Sequence, residues 1–383
     1  MNSSIKEIRQ QILRFFQTTE ENHTVIFTSG ATQALKLVGE NFTFQNKDQI
    51  FAYLDECHTS VIGLREVIQN PFQVWSQNEV IENIEKFHQN GGLFAFPAMS
   101  NFSGQKFSMN SWIELAKNNN FKVLLDAASF VSTNPLNLCE IDCDFACVSF
   151  YKIFGFPTGI GALIVKNTSM KSLKKRYFGG GTVEMHLVHK GRHASKSFEA
   201  QFEDGTLNFQ SILALKYGFD LIQNTFKGME VISNHTFQLA KYLHDQLTSL
   251  KHDNGRKIIQ IYTQSDFQDI KLQGGIVNFN ILQRNGAILG FTEFKTIAQL
   301  NNVILRVGCF CSIGSCQSYL GLSDEDIEHH HASGHVCGDN VDIIGKNLKL
   351  FVFKELRNNL LCCVSRWKTN WINQNFIWTL FQY

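Results

Sequence analysis

Short apolar runs alternate with helical patterns from Thr24 to Lys152, and that order leaves few folds open. "TVIFTSG" is a compact β-branched run ending in glycine, and "ATQALKLVGENF" follows it as a helix. Upstream, "SIKEIRQQILRFF" places Ile5, Ile8, Ile12, Phe15 and Phe16 at helical spacing. Downstream, "QIFAYLDE", "GGLFAFPA", "FKVLLDAA" and "FACVSFYK" read as strands and "NSWIELAKNN" as a helix. Strands joined through helices run mostly parallel, with helices on both faces and ligand sites beyond the carboxyl ends of the strands. From about Asn224 the pattern changes to a long helix, "ISNHTFQLAKYLHDQLTSL", then "GGIVNFNIL" and "NVILRVGCF", which reads as a smaller α+β domain. The expected architecture is α/β: a large domain over 1–230 with a mostly parallel sheet covered by helices, a small domain over 231–345, and an atypical tail, 346–383.

Composition narrows the function. Charged residues make up 18% and the net charge is +1, which gives no electrostatic reason to expect nucleic acid. Neither a leader pattern nor an apolar stretch of about 20 residues is visible, so no membrane partner is expected and the chain reads as cytoplasmic. In that compartment the ten cysteines should be mostly reduced, those of "IDCDFACVSF" as small buried hydrophobes. The 34 phenylalanines read as core.

Several signals fall at the ends of expected strands. Ser29 to Thr32, in "TSGAT", could hold a phosphate at a helix N-terminus, or could simply cap the helix. His58 and Asp126 could likewise be capping or surface residues. Together with Ser149 and Lys152, however, they occupy the positions where one ligand pocket should lie. A phosphate cradle, an aromatic ring, a carboxylate and a lysine are what pyridoxal 5'-phosphate needs. The lysine forms a Schiff base with its aldehyde, the carboxylate keeps the pyridinium protonated, and the imidazole stacks on the ring.

The motifs "VIFTSGATQALKLVGE", "DECHTSVIGLRE", "VSFYKIFGFPTGIGALIVK", "YFGGGTV", "FEDGTLNF", "GCFCSIGSCQSYLGLSDEDI" and "GHVCGDNVD" then identify a resemblance. From about Ile5 to Ile344 the chain resembles the N-terminal, cysteine-desulfurase-like part of the molybdenum cofactor sulfurase family. That part is of the aminotransferase class V, fold-type-I pyridoxal phosphate type. The resemblance implies a Schiff base at Lys152, phosphate contacts from Ala31, Thr32 and Ser149, ring stacking by His58 and a pyridinium partner in Asp126. It also places Asn101 near the cofactor oxygen and Arg306 at the substrate carboxylate. Thr206 matches a phosphate ligand donated by the other subunit, which implies a homodimer. The implied activity takes sulfur from L-cysteine as a protein persulfide, releases alanine and passes the sulfur to the molybdenum cofactor or a molybdoenzyme. The nucleophile it assigns is Cys337, with His335 as an aid to ionisation. Cys311 occupies the position used by one group of ordinary desulfurases. The alternative readings are a general cysteine desulfurase or selenocysteine lyase, or an inactive fragment that keeps only a dimerisation surface.

Cys309, Cys311, Cys316 and Cys337, with His329, His330, His331 and His335, could also be read as a zinc site. The C-x-C-x4-C spacing is not a usual structural-zinc pattern, so no metal is expected, and "HHH" reads as a solvated helix end. Two segments depart from the resemblance. It implies an upstream segment, part of the active-site entrance in relatives, that precedes the start of this chain. After Gly345 it implies a strand pair carrying a second carboxylate-binding arginine, whereas "KNLKLFVFKELRNNLLCCVSRWKTNWINQNFIWTLFQY" matches nothing there. Trp367, Trp371, Trp378, Cys362 and Cys363 all fall in this tail, a composition shift that reads as a read-through or mis-spliced end. The expectation is that the tail cannot complete the small domain and leaves a sheet edge exposed.

Overall fold

The computed structural model describes residues 2–301 and 303–334, and the backbone of 351–354. The chain divides into two compact units, one of Met1–Ser100 and Lys106–Asn234, the other of Asn101–Gln105 and the chain from His235 onward.

Among the described residues, the first unit holds a seven-stranded sheet: β1 (His23–Thr28), β2 (Ile50–Leu54), β3 (Phe72–Trp75), β4 (Gly92–Pro97), β5 (Phe121–Asp126), β6 (Phe145–Ser149) and β7 (Gly161–Lys166). Their order is β1-β7-β6-β5-β4-β2-β3. The strands from β3 to β6 pair in parallel, and β7 runs antiparallel to both β6 and β1. Hence β1 runs with the parallel block, and its carboxyl end lies on the same edge as those of β2, β4, β5 and β6. All residues of β2, β4 and β6 are buried, as continuous apolar strands covered on both faces should be.

Helix α1 (Asn2–Phe15) precedes β1, and α2 (Ala31–Asn41), α3 (Thr59–Ile62), α4 (Val80–Lys86), α5 (Met109–Asn118) and α6 (Phe150–Phe154) connect the strands. In α2 the buried residues Ala31, Ala34, Leu35 and Val38 recur at helical spacing and cover β6 and β7. The stretch "FACVSFYK" differs from its reading as one strand. The strand stops at Ser149, and the next five residues turn into α6, which Gly155 closes in the left-handed region at φ 83°. A hairpin of β8 (Val183–His186) and β9 (His193–Ser195) follows, then α7 (Phe198–Phe202) and α8 (Phe209–Asp220).

Strand β1 is an edge, and two of its outward backbone groups are occupied. The Phe27 N–H donates to Glu203 Oε1 at 2.7 Å, while the Arg9 guanidinium donates to the Val25 carbonyl and pairs with Glu203 Oε2 at 2.7 Å. These bonds take up two of the groups the edge would otherwise offer to another chain.

Helix α9 (Met229–Ser249) runs across the division between the units. In the second unit, β10 (Ile259–Ile261), β11 (Ile276–Ile281), β12 (Arg306–Val307) and β13 (Phe351–Lys354) form an antiparallel sheet in the order β10-β11-β13-β12. Its core gathers Phe267, Val277, Phe279, Phe291 and Phe294, two of them from α10 (Phe291–Leu300). The pattern "NVILRVGCF" shrinks to the two residues of β12. Helices α11 (Ile313–Leu320) and α12 (Asp324–Ala332) follow. The histidine run ends α12, and it is not wholly solvated: His329 and His331 are exposed but His330 is buried, because successive helical residues point about 100° apart.

Strand β13 corrects the expectation for the tail. Phe351–Lys354 lies between β11 and β12, in register from Ile276↔Lys354 to Phe279↔Phe351 on one side and at Arg306↔Val352 on the other. Both neighbours can hydrogen-bond to any strand backbone, whatever its side chains, so a segment without a matching motif fills the place. The edge expected to be open is paired. Deleting residues from 346 onward should therefore speed amide exchange in Ile276–Ile281 and Arg306–Val307 by about tenfold or more, since each ladder bond is worth about 1 kcal/mol. Unchanged exchange would show that β13 contributes nothing to this sheet.

Candidate active site

The carboxyl edge of the first unit's sheet gathers most of the residues singled out above. Thr28, Gly161 and Ser149 stand in register across β1, β7 and β6. Beyond Thr28 the chain turns at Gly30 into α2, whose N-terminus has no side-chain cap. The first N–H groups of α2, including those of Ala31 and Thr32, therefore face the edge with the positive end of the helix dipole. Ser149 is 2% exposed, and its hydroxyl lies 3.9 Å from where a Cβ on Gly30 would stand. Gly161 allows this approach: a Cβ there would lie 2.6 Å from both Gly30 Cα and the Val148 carbonyl. Gly161→Ala is expected to cost about 1–3 kcal/mol by forcing that backbone apart. Denaturant unfolding of the variant checks it, and unchanged stability would mean the turn yields freely.

His58 follows β2 and is half-buried. It caps α3, its Nδ1 accepting from the Ser60 N–H at 3.1 Å. The Ser60 hydroxyl lies 3.0 Å from the same Nδ1 and 2.8 Å from Thr32 Oγ1. A backbone N–H can only donate, so Nδ1 is the lone-pair nitrogen and the neutral ring carries its proton on Nε2. The capping role weighed for His58 is thus real. It uses the ring plane and not the ring face, so stacking remains compatible with it.

Asp126 ends β5, is 8% exposed, and accepts the Ala128 N–H at 3.0 Å through Oδ1. Cys147 stands opposite it on β6. Burial pushes the Cys57 and Cys147 thiols well up, and the Asp126 charge adds to the shift, so both flank the carboxylate as neutral groups. Cys143 is also buried, its pKa pushed up to about 12, first by burial and then by Asp144. Lys152 is half-buried in α6, three residues beyond Ser149. Thr206 is exposed on the loop ahead of α8.

The second unit holds the other candidates. The Asn101 amide donates to the Phe310 carbonyl at 2.7 Å, a bond the sequence did not suggest. Phe310 and Cys311 take φ 55° and 59°, consecutive left-handed residues that are not glycine. They lie between Cys309 and Cys316, which are joined as a disulfide, and Phe102 packs on Phe310. Cys311 is a free, half-buried thiol. Arg306 is exposed, its guanidinium 5.3 Å from the Phe310 ring centre, and no carboxylate pairs with it among the described residues. Cys337 and His335 lie outside the described residues.

Comparison with known proteins bears on this arrangement. The family model described as aminotransferase class-V matches residues 1–320. The chain belongs to the aminotransferase class-V family. Within it, the chain is 43% identical over 368 residues to a molybdenum cofactor sulfurase of Homo sapiens, covering 90% of this chain and 41% of that protein. A molybdenum cofactor sulfurase of Bombyx mori is 44% identical over 382 residues, covering 89% of this chain and 46% of that one. The chain thus spans less than half the length of these relatives. Two solved cysteine desulfurase structures share the fold. A cysteine desulfurase from Thermococcus onnurineus superposes with TM-score 0.69 at 19% identity, covering 87% of this chain and 83% of that one. One from Escherichia coli gives 0.70 at 17%, covering 84% and 77%. The fold is that of the fold-type-I cysteine desulfurases.

Ser60 is a residue of this class-V edge that sequence reasoning passed over. Ser60 is visible only as the second residue of a short helix in "CHTS". Nothing in the string shows that its hydroxyl would reach Thr32, 28 residues away.

Proposed function

We propose that the chain is a pyridoxal phosphate enzyme that takes sulfur from L-cysteine onto one of its own cysteines for delivery to the molybdenum cofactor. The observation that carries this reading is the single sheet edge holding the uncapped N-terminus of α2, buried Ser149, His58, buried Asp126 and Lys152. These residues fit the cofactor. The N–H groups of Ala31 and Thr32, with the Thr32 and Ser149 hydroxyls, suit a phosphate, and Gly30 and Gly161 leave room where side chains would crowd it. Asp126 suits a protonated ring nitrogen, and Lys152 suits an aldehyde. When bound, pyridoxal phosphate supplies a ring that accepts the electrons released at the substrate's Cα.

The chain's own groups then have distinct tasks. Lys152 would hold the aldehyde, and its Nζ is the group that would move a proton at the substrate Cα. Asp126 keeps the ring nitrogen protonated, a task its charge can perform because the two adjacent thiols stay neutral. Arg306, with no carboxylate partner in view, binds the substrate carboxylate through its planar fork. A cysteine thiolate attacks the substrate sulfur. The carbon–sulfur bond breaks, its electron pair returns to the substrate carbon, a proton is added there, and alanine and a protein persulfide result.

The resemblance gives the persulfide to Cys337. A specific observation favours Cys311: it is free and half-buried on a turn of two left-handed residues, strain that costs about 1–3 kcal/mol each and gathers at functional sites. Thr206, exposed ahead of α8, suits a ligand given to a second copy, and we extend the reading to a cytoplasmic homodimer. Among the described residues no helix is long and apolar enough to cross a membrane. The test is to incubate the purified protein with pyridoxal phosphate and L-cysteine. A visible cofactor band, alanine release and sulfide in the presence of a reductant are expected. A colourless protein that releases no alanine would sink the proposal, and transfer to a general thiol acceptor but not to the molybdenum cofactor would favour an ordinary desulfurase.

A further inference from the structure

Ser60 lies where two of the proposed cofactor contacts meet. Its hydroxyl is 2.8 Å from Thr32 Oγ1 and 3.0 Å from His58 Nδ1, and its N–H donates to the same Nδ1 at 3.1 Å. A serine hydroxyl has one proton, so it can donate to only one of these neighbours at a time. That leaves two arrangements of the chain of hydroxyls.

In the first, Thr32 donates to Ser60 and Ser60 donates to His58 Nδ1, and the Thr32 proton is turned away from the N-terminus of α2. In the second, Ser60 donates to Thr32, and the Thr32 proton is free to point at a group beyond it. A phosphate dianion at that N-terminus accepts hydrogen bonds and has none to give, so its arrival selects the second arrangement.

We propose that Ser60 is a positioning residue: its hydroxyl turns from His58 to Thr32 when an anion occupies the N-terminus of α2, which couples phosphate binding to the tether on the His58 ring. The inference rests on the reading of this edge as a phosphate site. Before phosphate binds, Nδ1 is held by both the hydroxyl and the N–H of Ser60. Afterwards the hydroxyl tie is gone and the N–H tie remains, so the ring keeps its tautomer and its cap while gaining freedom to tilt. The imidazole would thus settle onto a cofactor ring only in a protein whose phosphate site is filled.

The experiment uses the full chain, stripped of cofactor, with 15N-labelled histidine. The probes are inorganic phosphate, pyridoxal and pyridoxal phosphate. In the wild type, phosphate should move the His58 Nδ1 resonance toward that of a lone-pair nitrogen with fewer hydrogen bonds, while pyridoxal alone should not. Ser60→Ala should start near the phosphate-bound value and respond little, and Ser60→Thr should restore the response. Thr32→Val, in which Ser60 keeps its tie to Nδ1, should start at the wild-type value and also fail to respond. Ser60→Ala, in which Thr32 has no bond to Ser60 to give up, should bind pyridoxal phosphate no more weakly than wild type. An equal Nδ1 response in Ser60→Ala and wild type would overturn the proposal, as would a pyridoxal phosphate affinity tenfold or more below wild type in that variant. Failure of wild type to bind either phosphate compound is a different result: it strikes the cofactor reading itself and takes this inference with it.

Discussion

Lys152→Ala is expected to leave a folded protein that no longer holds pyridoxal phosphate covalently. After borohydride reduction the wild type should carry the pyridoxyl group on the peptide containing Lys152, and the variant should carry none. Position supports this choice among the lysines near the sheet. Lys152 follows Ser149 by three residues, on the carboxyl edge. Lys166 ends β7 at the opposite edge, about 17 Å along a six-residue strand, and it is committed to Asp142. Lys174 follows that end of the strand, and its backbone N–H donates to the carbonyl of Asn41, the last residue of α2. Activity should fall at least by the 10²–10⁴-fold ascribed to a positioned acid–base group, and further through loss of the anchor. A label recovered on Lys166 or Lys174 would refute the assignment.

Cys311→Ser should retain the cofactor band and lose sulfur mobilisation, because the thiol acts after the substrate is bound. The disulfide of its neighbours and the Asn101 bond to Phe310 hold the turn from both sides, so the serine variant should keep the local backbone. The parallel variant is Cys337→Ser. If Cys311 carries the persulfide, mass spectrometry after incubation with cysteine should find the 32 Da addition, the mass of one sulfur atom (about 32 Da), on Cys311 in that variant. Full alanine release by Cys311→Ser together with loss in Cys337→Ser would return the role to Cys337. Asn101 offers a third reading of the same turn. If its amide matters by holding Phe310, removing it should impair the thiol step and spare the cofactor band.

The pattern of apolar runs was enough to reveal the α/β class, because strands buried on both faces must be continuously apolar and their connecting helices must be amphipathic. It also located Asp126 and Ser149 at strand ends, while His58 and Lys152, read as strand ends too, lie in the helical turns that follow β2 and β6. It did not show β7 as an antiparallel strand inserted between β1 and β6, although "GALIV" is apolar enough. Direction is a matter of pairing partners, and pairing is not written in a local window.

The tail shows the same limit from the other side. The segment "KNLKLFVFKEL" matches no motif, and the expectation of an open edge followed, yet Phe351–Lys354 pairs with both β11 and β12. Backbone hydrogen bonds do not depend on a motif, so absence of resemblance says little about whether a segment can fill a ladder. The histidine run failed for a related reason: neighbours in sequence share composition but face different directions on a helix, and one of the three turned inward.

What the sequence determined by itself is the set of residue types and their order along the strands, which suffices for the fold class. Only the tertiary structure decided which hydroxyls touch. Thr32, His58 and Ser60 come from two helices that follow different strands, and the meeting of Thr32 with Ser60 at 2.8 Å depends on β1 and β2 being held in place by a sheet in which five other strands participate. A hydrogen bond requires partners at about that distance, and no periodicity in the chain encodes a separation across a sheet.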